Sequence, residues 1–235
     1  MSFYTPKIFR FSISRPRNMI LMMLVPTILF AVGASAQRFI PETSYPSPWS
    51  SGGPEGWDKA YEKAREFVAK LTLTEKVNLT TGTGNQADLC TGNTGSVPRL
   101  DFRHICLQDG PNGVRYTDLN SAFPSGITAA ATFSRDLLRR RGEAIGAEFR
   151  DKGVDVLLGP VVGPLGRDPA GGRNWEGFSP DPYLSGVAVA ETVVGTQGAG
   201  VIASVKHFIL NEQEHFRGGI SSNLDDKTMH ELYLW

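Results

Sequence analysis

The spacing of apolar residues predicts helices along much of the chain beyond residue 56. In the segment Trp57–Leu71 they recur at three- and four-residue steps, which is the repeat of one helix face. Thr72–Glu75 has the pattern of a capping box and predicts a second, short helix through Val77. The segments from Ser134 to about Lys152 and from Pro182 to about Gln197 predict longer helices, because serine is a favoured cap and proline suits a first helical turn.

Apolar runs without polar alternation predict short buried strands between these helices. The runs are Ile105–Gln108, Val154–Leu158 and Val201–Val205. Unbroken runs of this length are typical of parallel strands that are covered on both faces. A last helix is expected from about Asn223. The alternation of strand and helix therefore predicts an α/β fold with a parallel sheet.

Residues 1–36 carry a different pattern, which predicts a secretory signal peptide. Four basic residues and no acidic residue precede or flank the apolar run Met19–Ala31. Ala34–Ala36 then forms a small-x-small cleavage signature, so cleavage is expected before Gln37 and the protein is expected to be extracellular. A membrane anchor is the alternative, but the run is short for a span and Pro26 interrupts it.

Charge narrows the classes of partner. The chain has 24 basic and 24 acidic residues, and without residues 1–36 the balance is 20 basic against 24 acidic. A mildly acidic domain does not favour a nucleic acid or an anionic membrane surface as its partner.

The segment 37–56 is rich in Pro, Ser and Gly and predicts an extended arm, which leaves 57–235 as the folded domain.

Secretion changes how two further features are interpreted. Cys90 and Cys106 are the only cysteines of the chain. In an oxidising compartment they are predicted to form a disulfide, with two buried thiols as the alternative. Asn78-Leu79-Thr80 is a glycosylation sequon, and Asn78 becomes a usable acceptor on the secretory path.

Charged residues follow each of the three predicted strands, and a histidine also follows the last of them. In a (β/α) barrel the C-terminal ends of the strands share one rim, where ligands bind. The candidates for this rim are, in chain order, Asp109, Arg115, Arg173, Lys206, His207 and Arg217. The carboxylate of Asp109 can accept hydrogen bonds from two neighbouring hydroxyls while the cations donate to others, which is the inventory of a sugar-binding site. A phosphate ligand fits less well, because Asp109 would repel it.

The loop Gly166–Phe178 has two readings on its own. Arg173 and Trp175 can grip a hydroxyl-rich ligand, since the guanidinium is a fork of donors and the indole is a flat apolar face. Alternatively, the loop is a surface element in which Arg173 pairs with Glu176. Its position after a predicted strand favours the binding role.

A metal site is not expected. One cluster of possible ligands follows the last predicted strand and comprises His207, Glu212, Glu214 and His215. Its spacing matches no zinc pattern. We therefore expect no metal at these residues.

Several long motifs are rich in glycine, tryptophan and charge. They are CLQDGPNGVR at 106–115, GPLGRDPAGGRNWEGFSPDP at 163–182, NEQEHFR at 211–217 and NLDDKTMHELYLW at 223–235. With the shorter KVNLTTGTG, VPRL, SAFPSG and KHF, they make the chain resemble glycoside hydrolase family 3, specifically its secreted fungal-type β-glucosidases. The resemblance runs from about Tyr45 to the end. It implies the first part of a (β/α)8 TIM-like barrel, and removal of terminal β-D-glucosyl residues, as from cellobiose, with retention and no cofactor.

The resemblance also implies roles for the rim. Asp109 would accept from the sugar hydroxyls far from the scissile bond. Arg217 would lie near the nucleophile and favour its ionised form. The donors around the same sugar ring would be Arg115, Arg173, Lys206 and His207.

The resemblance implies that the reacting carboxyl groups lie elsewhere. Retaining hydrolysis needs a nucleophilic and an acid/base carboxyl group about 5–5.5 Å apart. The nucleophilic Asp and the acid/base Glu are expected downstream of Trp235, so the sequence is interpreted as a truncated, inactive part of a β-glucosidase. The alternative is a non-catalytic secreted sugar-binding module. Asn85 stands where relatives carry Trp, which leaves the aglycone preference open. The choice between glucose and xylose is also open.

Overall fold

The computed structural model describes residues 57–84, 90–163 and 168–234. The predicted signal peptide, the arm 37–56 and Asn85 lie outside the described residues, as do the first two residues of the Gly166–Phe178 loop. Within the described ranges, no helix has both the length and the apolar character that crossing a membrane requires.

Two helices open the described part of the chain. α1 spans Trp57–Ala69, and α2 spans Leu73–Thr81, past its predicted end. The predicted capping box is confirmed: the Thr72 hydroxyl accepts from the Glu75 amide at 3.3 Å, and the Glu75 carboxylate accepts from the Thr72 amide at 2.8 Å. These bonds satisfy amide groups that the start of a helix leaves without partners. α2 continues until Gly82, whose positive φ of 77° ends it.

Four short strands form one sheet in the order β1-β2-β3-β4. β1 spans Gly92–Asn93, β2 Cys106–Asp109, β3 Val156–Leu158 and β4 Ile202–Ala203. The last three pair in parallel, as their unbroken apolar runs predicted. β1 pairs antiparallel to β2, so the prediction of a wholly parallel sheet is wrong at this edge. The segment between them contains no α-helix, and a chain that turns back without a helical crossover pairs in the antiparallel sense.

Two long helices flank the strands close to their predicted limits. α4 spans Arg135–Asp151 and α5 spans Pro182–Gly198. The predicted cap of α4 is present, because the Ser134 hydroxyl accepts from the third helical amide at 3.3 Å. Asp181 caps α5 in the same way at 2.7 Å. Both helices therefore begin where side-chain oxygens can satisfy their first amides.

Two smaller helical segments differ from the predictions. α3 spans Gly126–Ala130 and was not predicted, because five residues are too short to show a repeat. The last predicted helix is a short one: α6 spans Asp226–Thr228 and continues into a wider helical turn at Met229–Tyr233. Asp225, and not Asn223, caps α6, since its carboxylate accepts from the third helical amide at 2.9 Å.

Two groups of buried side chains join these elements. The predicted disulfide between Cys90 and Cys106 is present and lies in the first group. The other members of that group are Val114, Ile145, Phe149, Val154, Leu157 and Val201. The second group fills the space between α3, α4 and α5 and consists of Ala129, Ala130, Leu138, Phe178 and Ala188. The disulfide thus fastens the segment before β1 to β2, the strand that ends at Asp109.

Removing the disulfide by the double substitution Cys90→Ala/Cys106→Ala is expected to lower the free energy of unfolding by about 3 kcal/mol, because the unfolded chain regains the freedom of the closed loop. The two cysteines are 16 positions apart. Urea unfolding of the oxidised wild type and of the variant measures the difference. A reducing agent should destabilise the wild type and leave the variant unchanged, since the chain has no other cysteine. Equal urea midpoints for wild type and variant would contradict the prediction.

Glycines allow α4 and α5 to lie very close together. A Cβ added at Gly195 would lie 2.3 Å from the carbonyl oxygen of Arg139 in α4, and a Cβ at Gly142 would lie 2.6 Å from the Thr192 oxygen. A Cβ at Gly198, in the last turn of the same α5 helix, would meet no atom within 4 Å. The two α5 glycines therefore form a matched pair for measuring the cost of separating the helices.

Gly195→Ala is expected to lower the free energy of unfolding by about 1–3 kcal/mol, because the added methyl group must push the helices apart. Gly198→Ala is expected to be neutral or stabilising, since alanine favours the helix and meets no neighbour. Thermal unfolding followed by circular dichroism compares the two variants. If Gly195→Ala is as stable as Gly198→Ala, the close approach of α4 and α5 does not constrain the fold.

Candidate functional site

The C-terminal ends of the parallel strands bring two distant charges together. The sheet register pairs Asp109 with Leu158. Lys206 follows β4 by three residues, and its backbone bonds to Pro160 and Val162 at 3.1 and 3.0 Å. As a result, the Lys206 Nζ lies 2.5 Å from Asp109 Oδ1, although the two residues are 97 positions apart. The rim that the sequence predicted therefore contains a direct ion pair.

Arg115 completes this group from the loop after β2. Its Nη1 lies 2.9 Å from Asp109 Oδ2, so each carboxylate oxygen faces one cation. Gln108, which is 2% exposed, fixes both residues: its side-chain oxygen accepts from the Asp109 amide at 2.8 Å, and its side-chain nitrogen donates to the Arg115 carbonyl at 3.1 Å. The sequence pattern does not predict this role, because Gln108 falls at the end of an apolar strand. A lone amide side chain in such a run is the signal that was available.

Asp109 remains ionised despite its surroundings. Its side chain is 18% exposed and that of Lys206 is 13% exposed. Burial by itself raises the pKa of Asp109, but the hydrogen bond and charge of Lys206, together with the charge of Arg115, outweigh burial and hold the pKa below its ordinary value. At neutral pH the carboxylate is therefore an acceptor with both oxygens already oriented.

Arg173 belongs to a second cluster of charge. Its Nη2 and Nε donate to one oxygen of Glu176 at 2.5 and 3.1 Å, and its Nη1 donates to Glu214 at 3.4 Å. Glu176 is 2% exposed, so its charge depends on the guanidinium beside it. The pairing of Arg173 with Glu176, one of the two readings of the loop, is therefore present. This pairing does not use all the donors of Arg173, because two of its five N–H groups have no hydrogen-bond partner in the described ranges.

His207 connects the two clusters. Its peptide bond to Lys206 is cis, and its ring is influenced by charges from both sides. Burial lowers the pKa of the imidazole, and the positive charges of Arg173 and Lys206 lower it further. A neutral imidazole offers one donor and one acceptor nitrogen. The ring is therefore suited to a polar, uncharged ligand.

Arg217 lies apart from the other predicted residues. Its side chain is 60% exposed, and its Nε is 3.7 Å from Glu214. Within the described residues its contacts reach the second cluster through Glu214 and do not reach the Asp109 carboxylate. The structure thus joins five predicted residues in two linked clusters and leaves Arg217 at their edge.

The remaining carboxylates near the rim are also engaged. Glu212 accepts a hydrogen bond from the Tyr233 hydroxyl at 2.6 Å, and Glu214 accepts one from Asn211 at 3.3 Å. Among the described residues, no three His, Cys, Asp or Glu side chains are close enough together to hold a metal ion. The arrangement can bind hydroxyl groups, with oriented acceptors on Asp109 and N–H donors on Lys206, Arg173 and the His207 ring.

The chain that has this geometry is similar to a known protein family. Residues 65–233 match the model of the glycosyl hydrolase family 3 N-terminal domain. The protein named "Probable beta-glucosidase A" from Aspergillus terreus is 60% identical over 204 residues, which are 81% of this chain and 24% of that protein. The chain therefore spans about a quarter of the length of this curated relative.

Solved structures agree with that comparison. A family 3 β-glucosidase from Neurospora crassa is 59% identical, with a TM-score of 0.73 over 83% of this chain and 25% of its own. β-Glucosidase 3B from Thermotoga neapolitana, solved in complex with α-D-glucose, is 40% identical, with a TM-score of 0.59 over 65% of this chain and 24% of its own. The predicted fold, an α/β chain that forms part of a TIM-like barrel, is confirmed by these likenesses.

Lys206→Met is expected to raise the pKa of Asp109. Burial raises this pKa, and in the variant one cation instead of two opposes that effect. The measurement is the pH titration of the Asp109 side-chain carboxyl by ¹³C NMR. Lys63→Met, a change at an exposed lysine on α1, is the control and should leave that titration unaltered.

The same variant should change the acid dependence of stability. A lowered folded-state pKa contributes stability that is present above the ordinary aspartate range and is lost as the pH falls through the folded-state value. Removing Lys206 should reduce this contribution, so less stability is lost between neutral pH and acid. An Asp109 titration that is identical in wild type and Lys206→Met would refute the ion pair as its cause.

Proposed function

The chain belongs to glycosyl hydrolase family 3, and on this premise we propose that it forms the sugar-recognition part of a β-glucosidase. The proposed reaction is hydrolysis of terminal non-reducing β-D-glucosyl residues, as in cellobiose, with retention of configuration. Its biological setting would be the breakdown of cellulose or β-glucan. The substrate is a small saccharide or β-glucoside, and neither a metal nor a cofactor takes part in the proposed chemistry.

The observation that carries the proposal is the group of Asp109, Lys206 and Arg115. A carboxylate held between two cations is ionised and oriented, and the group as a whole carries no net negative charge. Lys206 uses one of its three N–H groups for Asp109 within the described residues, which leaves two for hydroxyl groups. His207 and Arg173 add donors beside them. This supports binding of a ring that carries several adjacent hydroxyls.

In this proposal the reacting carboxyl groups lie C-terminal to Trp235. Retention requires a nucleophile and an acid/base about 5–5.5 Å apart, and both must be available to the substrate. The described carboxylates at the rim are already committed: Asp109 to two cations, Glu214 to Arg173, and Glu176 to the same guanidinium in a buried position. Such carboxylates support recognition better than bond cleavage. The exposed Arg217 would then be free to turn toward the nucleophile, as the resemblance implies.

Export is part of the proposal. The pattern of residues 1–36 and the disulfide between Cys90 and Cys106 both support a secreted protein. Asn78, the proposed glycosylation site, is exposed on α2, and its side-chain nitrogen donates to the Ser96 carbonyl at 3.2 Å. A glycan replaces one of the two hydrogens on that nitrogen, so the remaining hydrogen is still able to bond to Ser96.

A non-catalytic sugar-binding module is the second candidate. The commitment of the described rim carboxylates to cations favours it, because recognition would then be the complete function of the site. The two candidates share the pocket and differ in chemistry. Hydrolysis of a nitrophenyl β-glucoside by protein extended beyond Trp235 distinguishes them, and Lys206→Ala should remove most of that activity in the enzyme. Hydrolysis by the 235-residue chain would refute the assignment of the reacting carboxyl groups.

Asp109→Asn and Lys206→Met are each expected to weaken the binding of D-glucose to the 235-residue chain by roughly 10- to 100-fold. Each substitution removes a charged side-chain group that would hydrogen-bond to the sugar. Titration calorimetry with D-glucose, supported by saturation-transfer NMR for weak binding, measures the change. Lys63→Met is the matched control and should bind as the wild type does. Unaltered glucose affinity in both site variants would remove the basis for the proposed pocket.

A further inference from the structure

Arg141 is a largely buried arginine whose partners are neutral oxygens. It lies on α4, and its Nε donates to the Pro124 carbonyl at 2.8 Å. Its Nη2 donates to the Pro111 carbonyl at 2.8 Å and to the Asn112 side-chain oxygen at 3.4 Å. Within the described ranges no carboxylate forms an ion pair with it, unlike Arg139 of the same helix, which pairs with Glu191 on α5.

Burying the charge of Arg141 without a carboxylate partner is unfavourable unless hydrogen bonds compensate for it. Burial lowers the pKa of Arg141 to about 10, which records how unfavourable the site is for an uncompensated charge. A buried cation is tolerated when hydrogen bonds replace its hydration. Carbonyl oxygens provide those bonds here, and their direction matters because a guanidinium is a rigid planar fork. The residue is therefore well suited to hold particular backbone positions in place.

The positions that Arg141 holds are the two ends of one loop. The loop 110–125 connects β2 to α3, with Pro111 near its start and Pro124 near its end. A backbone bond from the Phe123 amide to the Asn112 carbonyl, at 2.8 Å, joins the same two ends. Arg141 thus closes the neck of the loop from the side of α4. The loop carries Arg115, which faces Asp109 at 2.9 Å.

We propose that Arg141 is a positioning residue for the sugar site: by closing the neck of the 110–125 loop, it keeps Arg115 against Asp109. This inference rests on the proposed function, because it assigns the loop a role in sugar binding. Arg141 itself does not contact the ligand. Its effect passes through the loop backbone to the carboxylate that accepts from the sugar hydroxyls.

Two further side chains, Glu148 on α4 and Lys152 at its C-terminal cap, act on the same loop. Glu148 accepts from the Ser121 amide at 2.8 Å, and Lys152 donates to the Asp118 carbonyl at 2.6 Å. Two residues of α4 and its C-cap residue therefore bind the backbone of a segment that contains no helix or strand of its own. These two hold the distal part of the loop, whereas Arg141 holds its neck. This division makes Arg141 the contact nearest to Asp109.

The test compares Arg141→Met with Arg140→Met. Arg140 is the next residue on α4, is exposed, and pairs with the exposed Asp136, so the control makes the same chemical change on the same helix. Hydrogen exchange followed by mass spectrometry reports on the peptides of 110–125 and of α5. Calorimetry with D-glucose reports on the site. Arg141→Lys serves as a milder variant in case the methionine variant does not fold.

The expected result is a local one. Arg141→Met should exchange about tenfold faster in 110–125 with little change in α5, and its affinity for D-glucose should fall about tenfold, because several charge-assisted bonds are lost together. Arg141→Lys should be intermediate, since an ammonium reaches fewer of the three oxygens. Arg140→Met should match the wild type in both measurements.

Other outcomes would overturn the inference. Equal exchange of 110–125 in Arg141→Met and Arg140→Met would show that Arg141 does not hold the loop. Faster exchange spread equally over α5 would indicate a general structural role. Faster exchange confined to the loop with unchanged glucose affinity would show that the loop does not position the site. A wild-type chain that does not bind D-glucose would count against the proposed function, and exchange alone would then decide whether Arg141 holds the loop.

Discussion

The contact between Asp109 and Lys206 is the interaction on which the site depends. Both side chains are mostly shielded from water, so each charge is stabilised by the other. The contact requires the register of three parallel strands to be correct, because Asp109 ends β2 and Lys206 follows β4. The geometry of the Asp109 site and the assembly of the sheet therefore share one constraint. An error in register would leave a half-buried carboxylate without its principal counter-charge.

Around this pair, three cations and three carboxylates face one another along the rim. Asp109 lies between Lys206 and Arg115, and Arg173 lies between Glu176 and Glu214. Each carboxylate is held in one orientation, while the cations keep N–H groups to spare within the described residues. A surface of this kind offers hydrogen-bond donors and acceptors together without a large net charge.

Helix α4 serves the fold and the site through different faces. Glycines on one side allow α5 to approach within contact of its backbone. Arg141 and its neighbours on another side hold the loop that carries Arg115. The rigid packing of α4 against α5 gives the loop contacts a fixed base. Substitutions between the two helices are therefore able to affect the contact between Arg115 and Asp109 from a distance.

The sequence by itself determined the local features. The apolar runs located β2, β3 and β4, and capping residues such as Ser134 located the long helices, because both signals depend on near neighbours. Six rim candidates followed from the rule that strand ends share an edge. The antiparallel strand β1 did not follow, since two residues carry no periodic pattern.

Only the tertiary structure decided which candidates meet. It showed that Lys206 and Arg115 share one carboxylate and that Arg217 lies outside that group. The buried roles of Gln108 and Arg141 also came from the structure alone. These contacts join positions up to 97 residues apart and depend on register and loop path. Local sequence patterns do not reveal the strand register or the loop path, because the energy of such a contact exists only when the distant partner is in place.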